Sequence, residues 1–369
     1  MKTLIIGAGI AGPALSIFLR KLGHQVTLCE ARPDAGGGAF LTLAPNGMHV
    51  LSQLGIKAEV EYGGAEMLGM RFQNARGESI GMIDLRDSRA SYGASSVTIR
   101  RSLLQRALLA EADRAGVNIE LGKRLVQLDP HATFEDGTKR DADLVIGCDG
   151  IHSQVRALTF PKAHGPKFTG LYDFGGITQA GDEALEEGLM HMVFGARAFF
   201  GVQRSGDTLY WFHNGPAQDS AQLLALHASD PGFIRAIIAR TRDVLGPWPQ
   251  HDILGLVRWH AGRVCLIGDA AHATTPSAGQ GASLALEDAA LLARCLREKP
   301  SAAFASFQAL RQTRVSRIVL ASRRSGSSKA PGPVGAWFRD RTLATFIKFG
   351  ASAQREALSY RADFADEGG

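Results

Sequence analysis

Gly7, Gly9 and Gly12 stand in GxGxxG spacing directly after the apolar run Leu4, Ile5, Ile6, and Glu30 closes the next apolar segment. Glycines so spaced suit a tight strand-to-helix turn. Gly7 permits the bend, Gly9 lets a pyrophosphate approach the backbone without meeting a Cβ, and Gly12 lets the helix pack close to the strand. The free N–H groups and positive dipole end of that helix attract phosphate, and Glu30 falls where a carboxylate accepts hydrogen bonds from an adenosine ribose. Two further clusters follow. DADLVIGCDGIHSQVR (residues 141–156) sets Asp149, Gly150, Ser153 and Arg156 just beyond a buried strand. GRVCLIGDAAHATTPSAGQG, opening the stretch 262–296, sets Asp269 beyond another strand, and Pro276, Gly279, Gln280 and Gly281 at the start of a long helix. Ligands collect at the carboxyl ends of strands in a doubly wound sheet. The bare N–H groups at the last helix start suit negative charge on a ring system rather than on phosphate alone.

The elements that must position these groups are legible in the periodicity. Leu15, Leu19 and Leu22 keep helical spacing up to a stop at Gly23, and Val26 and Leu28 alternate into a second strand. Residues 33–47 form a Gly-rich connection through LTL to a PNG turn, suited to lie against a flat cofactor, and a helix is expected over Met48 to Leu54. Strands around Met70 to Gln73 and Ser79 to Ile83 read as part of a second, sheet-rich lobe. The helical pattern returns in VTIRRSLLQRALLAEADRAG (residues 97–116), with Arg100 and Arg101 at its start, where a cation is unfavourable unless an anion or polar ligand lies nearby. Short strands are expected over 117–140 and 165–215, and helix over 219–245.

AFFGVQRSGDTLYWFHNG (residues 198–215) reads as a hairpin turning at Gly206 and Asp207. Pairing Ser205 with Thr208 sets Arg204 against Leu209, Val202 against Trp211 and Phe200 against His213 on one face. Gly201, Gln203, Tyr210 and Phe212 fall on the other. The first face combines apolar surface with an arginine and a histidine. The expectation is that Phe200, Val202, Trp211 and His213 line a substrate pocket, that Arg204 pairs an acidic substrate group, and that His213 accepts a phenolic proton. Packing of that face on a helix is the alternative.

With 369 residues, 45% hydrophobic and 21% charged, the chain can bury a large core divided over two or more lobes. The formal charge of +5 comes from scattered basic residues with no aromatic interleaving, so no nucleic-acid partner is expected. Cys29, Cys148, Cys265 and Cys295 have neither metal-ligand nor CxxC spacing, so they read as buried thiols and no metal site is expected. The first strand begins almost at once, and no apolar run is long enough to cross a bilayer. A cytoplasmic protein is the expectation. GAWFRDRTLATFIKFG (residues 335–350) could place Trp337, Phe338, Leu343, Phe346 and Ile347 on one face of a basic helix. That face is expected to pack on the main body, with peripheral membrane contact as the alternative.

Taken together, these clusters resemble those of the class A flavoprotein monooxygenases, the group that includes para-hydroxybenzoate hydroxylase. The resemblance covers nearly the whole chain. It implies an α/β fold: a Rossmann-like FAD-binding domain (1–70, 95–164 and 255–320) with an inserted sheet-rich substrate domain (71–94 and 165–254), then a C-terminal helical segment (321–369). It also implies that Gly7, Gly9, Gly12 and Glu30 hold the ADP half of FAD, and that Arg101, in an RxxL helix start with Leu104, contacts the cofactor. Asp149, Gly150, Ser153 and Arg156 match the DG motif that serves both FAD and the nicotinamide nucleotide. Asp269 matches the aspartate that binds the ribityl chain, with Pro276 and the segment Gly279, Gln280, Gly281 beside the isoalloxazine ring. Family members often have Asn where Ser283 stands and Gly where Phe40 stands, departures that bear on contacts to the ring. The strand around Gln203, Arg204 and Ser205 also resembles a substrate-facing strand of the family. The activity implied is hydroxylation or epoxidation of an aromatic or other electron-rich small molecule by O2 through a flavin C4a-hydroperoxide. NADH or NADPH serves as transient reductant, since no second nucleotide fingerprint is present. A flavin-dependent reductase or halogenase of the same fold is the alternative, though the WxWxIP signature of the halogenases is absent. A non-catalytic flavin-binding protein is a second.

Overall fold

The structure, a computed structural model, describes residues 1–34, 36–327 and 333–365, with the backbone alone at 325, 327, 333–334, 336, 344 and 346–354. Leu4, Ile5 and Ile6 are buried because their strand, Lys2–Ile6, has a parallel neighbour on each side, Leu144–Gly147 and Gln25–Cys29. Val264–Leu266 and Asn118–Glu120 extend the sheet outward in parallel, and the short antiparallel strand His260–Ala261 closes one edge. Helices Ala11–Lys21 and Gly281–Glu298 pack on each other beside this sheet. All four cysteines are buried and free in this region.

The glycine turn is as crowded as its spacing implies. A Cβ on Gly12 would lie 2.0 Å from the Gly7 carbonyl oxygen, and one on Gly7 would lie 2.4 Å from the carbonyl oxygen of Cys148, just past the neighbouring strand. Gly7 also has φ 105°, open to glycine alone at little cost.

A second, seven-stranded sheet is built from Gly69–Gln73, Ser79–Asp84 and the strands between Lys167 and Asp252. Between the sheets lies a small antiparallel one of Phe40–Leu43, Ser96–Arg100 and Ala65–Met67. This corrects the expected helix over 97–116: Val97 to Arg100 pair with Phe40–Leu43, and the helix runs from Arg101 to Arg114. The β-branched residues Val97, Thr98 and Ile99 favour the strand. The stretch 219–245 likewise divides into helices Ser220–Leu226 and Gly232–Arg240.

The hairpin Phe199–Ser205 and Thr208–Gly215 has the expected register, with Ser205 opposite Thr208, Val202 opposite Trp211 and Phe200 opposite His213. Its faces are reversed from the pocket expectation. Phe200, Val202, Trp211 and His213 are fully buried, and the first three pack on Leu223, Ile234, Ile237 and Ile238 of the two helices just described. Trp211 stacks on Phe200 at 5.6 Å and donates its indole N–H to Thr241 Oγ1 at 2.8 Å. His213 Nδ1 lies 2.8 Å from His227 Nε2, and His227 Nδ1 lies 2.7 Å from Asp230 Oδ2. Arg204 sits near the turn, donating to the Gly206 carbonyl at 3.1 Å.

The C-terminal helix Pro333–Ser359 leaves Trp337 and Phe338 exposed at 56% and 59%, contrary to the expected packing. Phe346 and Ile347 lie outside the residues whose side chains are described. The helix meets the body through other residues, Arg339 over the Phe194 ring and Leu358 in a buried cluster, and the segment beyond it docks as well. Phe364 stacks on Phe18 at 4.8 Å, and Gln53 bonds both the Ala362 carbonyl and the Phe364 N–H. Among the described residues no helix is long and apolar enough to cross a membrane. Because Trp211 fills the interior between the large sheet and its helices, Trp211→Ala is expected to destabilise the protein by about 3–5 kcal/mol, read from urea unfolding. A loss below about 1 kcal/mol would contradict this packing.

Candidate active site

Parallel pairing brings the three sequence clusters to one edge of the first sheet, because Gly7, Cys148 and Gly268 follow adjacent strands. Glu30 completes the glycine turn: its Oε2 accepts the Ala8 N–H at 2.8 Å and its Oε1 the Arg32 N–H at 3.0 Å. Arg101 crosses over this turn, with its Nη2 3.6 Å from where a Gly9 Cβ would stand and its Nη1 donating to the Gly37 carbonyl at 3.0 Å. Burial lowers the Arg101 pKa and the nearby Arg32 adds to this, while Asp269 and Glu30 oppose it. Arg101 therefore stands in the field of both carboxylates, whereas Arg100, one residue earlier, is exposed. Gln105, which the sequence reading passed over, donates to the Ala8 carbonyl at 2.5 Å from within the core and so fixes the turn from behind.

Asp269 is open to solvent but walled in by protein, and this desolvation raises its carboxyl above the ordinary range, against the opposing effects of His272 and Arg101. Burial likewise raises Asp149, whose Oδ2 accepts the Val155 N–H at 2.9 Å. Ser153 caps the following helix through the Arg156 N–H at 2.9 Å. The Arg156 side chain is buried and bonds the carbonyls of Ala270 at 2.8 Å and Ile151 at 2.6 Å, tying the second cluster to the third. Gly150 and Gly279 have φ 78° and 60°, with open space where a Cβ would point. Pro276 and Gly279 are exposed beside this space, and Gly281 starts the long helix. A glycine cradle, a carboxylate at the end of the second strand, an arginine across the turn and a second carboxylate at Asp269 are groups of the kind that hold FAD. The residues present fit that cofactor.

Beneath this loop lies a charge network absent from the sequence reading. Asp288 Oδ2 accepts the Gly268 N–H at 2.8 Å and lies 2.6 Å from His272 Nε2, while its Oδ1 accepts Arg311 Nε–H at 2.6 Å. Glu287 Oε2 accepts from Arg311 at 2.6 Å, and Glu287 Oε1 accepts from Arg314 at 2.8 Å and Asn46 at 2.6 Å. Asn46 donates also to Gln280 at 3.0 Å, and Ser283 Oγ accepts the Ala44 N–H at 3.2 Å. Pro45 to Gly47, expected as a turn before a helix at Met48, are instead the first turn of helix Pro45–Leu54, and this turn is thus bonded to the start of the long helix. Burial pushes the Asp288 carboxyl up, but His272 and Arg311 hold it down to about 2.

The model of the FAD binding domain family matches residues 1–193 and 247–319, well over half of the chain. The chain belongs to the class A flavoprotein monooxygenases. It is an FAD-dependent monooxygenase that draws electrons from NAD(P)H. Among curated relatives it is 32% identical to an aurachin C monooxygenase/isomerase of Stigmatella aurantiaca, over 93% of this chain and 94% of that one. It is 30% identical to an FAD-dependent urate hydroxylase of Klebsiella pneumoniae, over 88% and 89%. The crystal structure of Klebsiella pneumoniae HpxO complexed with FAD and uric acid superposes with a TM-score of 0.86 at 25% identity, covering 97% of this chain and 96% of that one.

Two outcomes follow from this geometry. Arg101→Ala should weaken FAD retention at least about tenfold, the usual cost of losing a charge-assisted contact, while Arg100→Ala leaves it unchanged; equal losses in flavin titrations would show Arg101 to be no more engaged than its neighbour. Arg311→Met leaves Glu287 and Asp288 short of a partner and should cost about 3–5 kcal/mol at neutral pH. The stabilising effect of a carboxyl held low is present above its unfolded value and lost as pH falls through its folded value. Removing Arg311 raises that folded value, so acid unfolding of the variant should begin at a higher pH than in the wild type; an unchanged acid transition would contradict the network.

Proposed function

We propose that the chain inserts one oxygen atom from O2 into an aromatic or heteroaromatic small molecule held between its flavin loop and the hairpin face that carries Tyr210 and Phe212. The carrying observation is that Gly7, Asp149 and Asp269 converge on one sheet edge near Arg101, and that Gln203 and Tyr210 of the hairpin meet Thr98 and Phe40 of the small sheet that leads into Arg101. The glycine turn holds the pyrophosphate of FAD, Glu30 its ribose and Asp269 its ribityl hydroxyls. The loop from Pro276 through Gly279, Gln280 and Gly281 presents backbone N–H groups to the ring. When bound, FAD supplies oxygen activation after reduction by NADH or NADPH. The protein's own part is to orient substrate and exclude water. That the named relatives act on urate and on an aurachin supports a heteroaromatic substrate.

The test is substrate-stimulated NAD(P)H oxidation by the FAD-loaded protein across phenols, quinolines and polyketides, with isotopically labelled O2 and product mass. One labelled oxygen in the product is the expected result. Turnover without oxygen insertion would favour a reductase, and no turnover a flavin-binding role. In the same assay Asp269→Ala should lose flavin occupancy and with it all turnover, and a variant that retains both would overturn the assigned role of Asp269.

A further inference from the structure

Four of the seven methionines, Met67, Met70, Met190 and Met192, gather in one cluster with Ala44, Leu85 and Leu358. Met190 and Met192 pair with Gln203 and Gly201, which pair in turn with Tyr210 and Phe212, so these side chains share the hairpin face turned away from the two helices. Gly201 has a specific reason to be glycine: a Cβ there would lie 2.2 Å from the Phe212 ring, which therefore lies across it. Phe40 reaches in from the Gly-rich loop, edge-on to Tyr210 at 5.5 Å and Phe212 at 6.4 Å. The surface runs on to the flavin loop through Ala44, whose N–H is held by Ser283. Met70, Met192 and Phe212 remain half-exposed along it.

Most of the polar groups on this surface are bonded within the protein. Gln203 accepts from Thr98 Oγ1 at 2.6 Å and donates to the Glu66 carbonyl at 3.0 Å. Arg71 and Arg204 belong to the opposite face of the sheet, bonded to Glu186 and the Gly206 carbonyl. Arg339 lies over the Phe194 ring at 4.5 Å and is paired with Asp340 at 2.7 Å through Nη2, while its buried Nη1 has no hydrogen-bond partner among the described residues. The carboxylate of Asp173, toward the other edge of the sheet, accepts from Asn214 and Gln250. Arg100 stands exposed at the rim. Among the described residues, a substrate carboxylate buried against this surface would compete with Asp340 for Arg339 and would reach Arg100 only at the rim. Methionine, unbranched and polarizable, adapts to flexible apolar groups and to ring edges.

Building on the monooxygenase reading, we infer that the substrate is a neutral aromatic or heteroaromatic ring bearing an apolar appendage, its ring under Phe40 and Phe212 and its appendage along the methionine wall. The test titrates FAD-loaded protein with 4-hydroxyquinoline, its 2-alkyl derivatives of increasing length and its 2-carboxylate, reading the flavin absorbance change and NAD(P)H oxidation. Each added methylene should tighten binding by about two- to fourfold, and the carboxylate should bind about tenfold or more weaker than the 2-methyl compound. Met192→Ala should flatten the dependence on chain length, Met192→Arg should reverse the discrimination against the carboxylate, and Arg100→Gln should change neither. Tighter binding of the carboxylate, indifference to chain length, or no response to any probe by protein that retains FAD would overturn the inference. In the first of these, oxygenation of the carboxylated ring would leave the monooxygenase reading standing.

Discussion

Glu287 and Asp288 are adjacent carboxylates, both fully buried, on the helix that begins at Gly281 after the loop from Pro276. Two charges so close cannot stay ionised in the interior without cations, and Arg311, itself fully buried, reaches both at 2.6 Å while Arg314 completes Glu287. The cost of assembling such a cluster is large, so its value lies in what it fixes. Asp288 holds the Gly268 N–H, at the glycine (φ 58°) where the strand turns into Asp269. Glu287 holds Asn46, and through it the first turn of helix Pro45–Leu54 is bonded to Gln280. The cofactor edge of the sheet and the loop opposite it are thus positioned from one buried point. Tyr360 joins from the C-terminal segment, its ring 3.8 Å from the Arg314 guanidinium carbon.

Steric constraint works with this electrostatic one. Gly7 and Gly12 leave no room for a Cβ because the turn touches both its own helix and the segment after the neighbouring strand, which fixes the N–H groups of the turn relative to Asp149. Gln105 and Arg156 then tie backbone carbonyls that would otherwise be free to move. Every one of these contacts acts on backbone, which matters because a dinucleotide is held largely by backbone N–H groups.

The parallel sheet, its glycine turn and the placement of the three clusters were legible in the sequence because each depends on local pattern: an apolar run, a glycine at a turn, a polar residue just past the strand end. The buried ion network was not, since Glu287, Asp288, Arg311 and Arg314 read as ordinary charges on amphipathic helices until those helices are packed together. The strand Ser96–Arg100 was missed for a related reason. Val97 and Ile99 fit the helical stripe that follows them, and only the partner strand Phe40–Leu43 decides between the two periods.

The hairpin shows how far alternation carries and where it stops. Turn chemistry determines which residues face each other, and that register holds throughout. It does not determine which face meets the helices, because both faces are rich in aromatic residues: Phe200 and Trp211 on one, Tyr210 and Phe212 on the other. The choice is made by partners distant in sequence. Ile234, Ile237 and Ile238 form an apolar helix face that takes Phe200, Val202 and Trp211, while Thr98 supplies the hydrogen bond that Gln203 needs on the opposite side. Turning the sheet over would bury Gln203 among isoleucines and separate it from both of its partners, at a cost of a few kcal/mol for the stranded amide. One glutamine therefore does more to orient this sheet than the arginine and histidine of its opposite face.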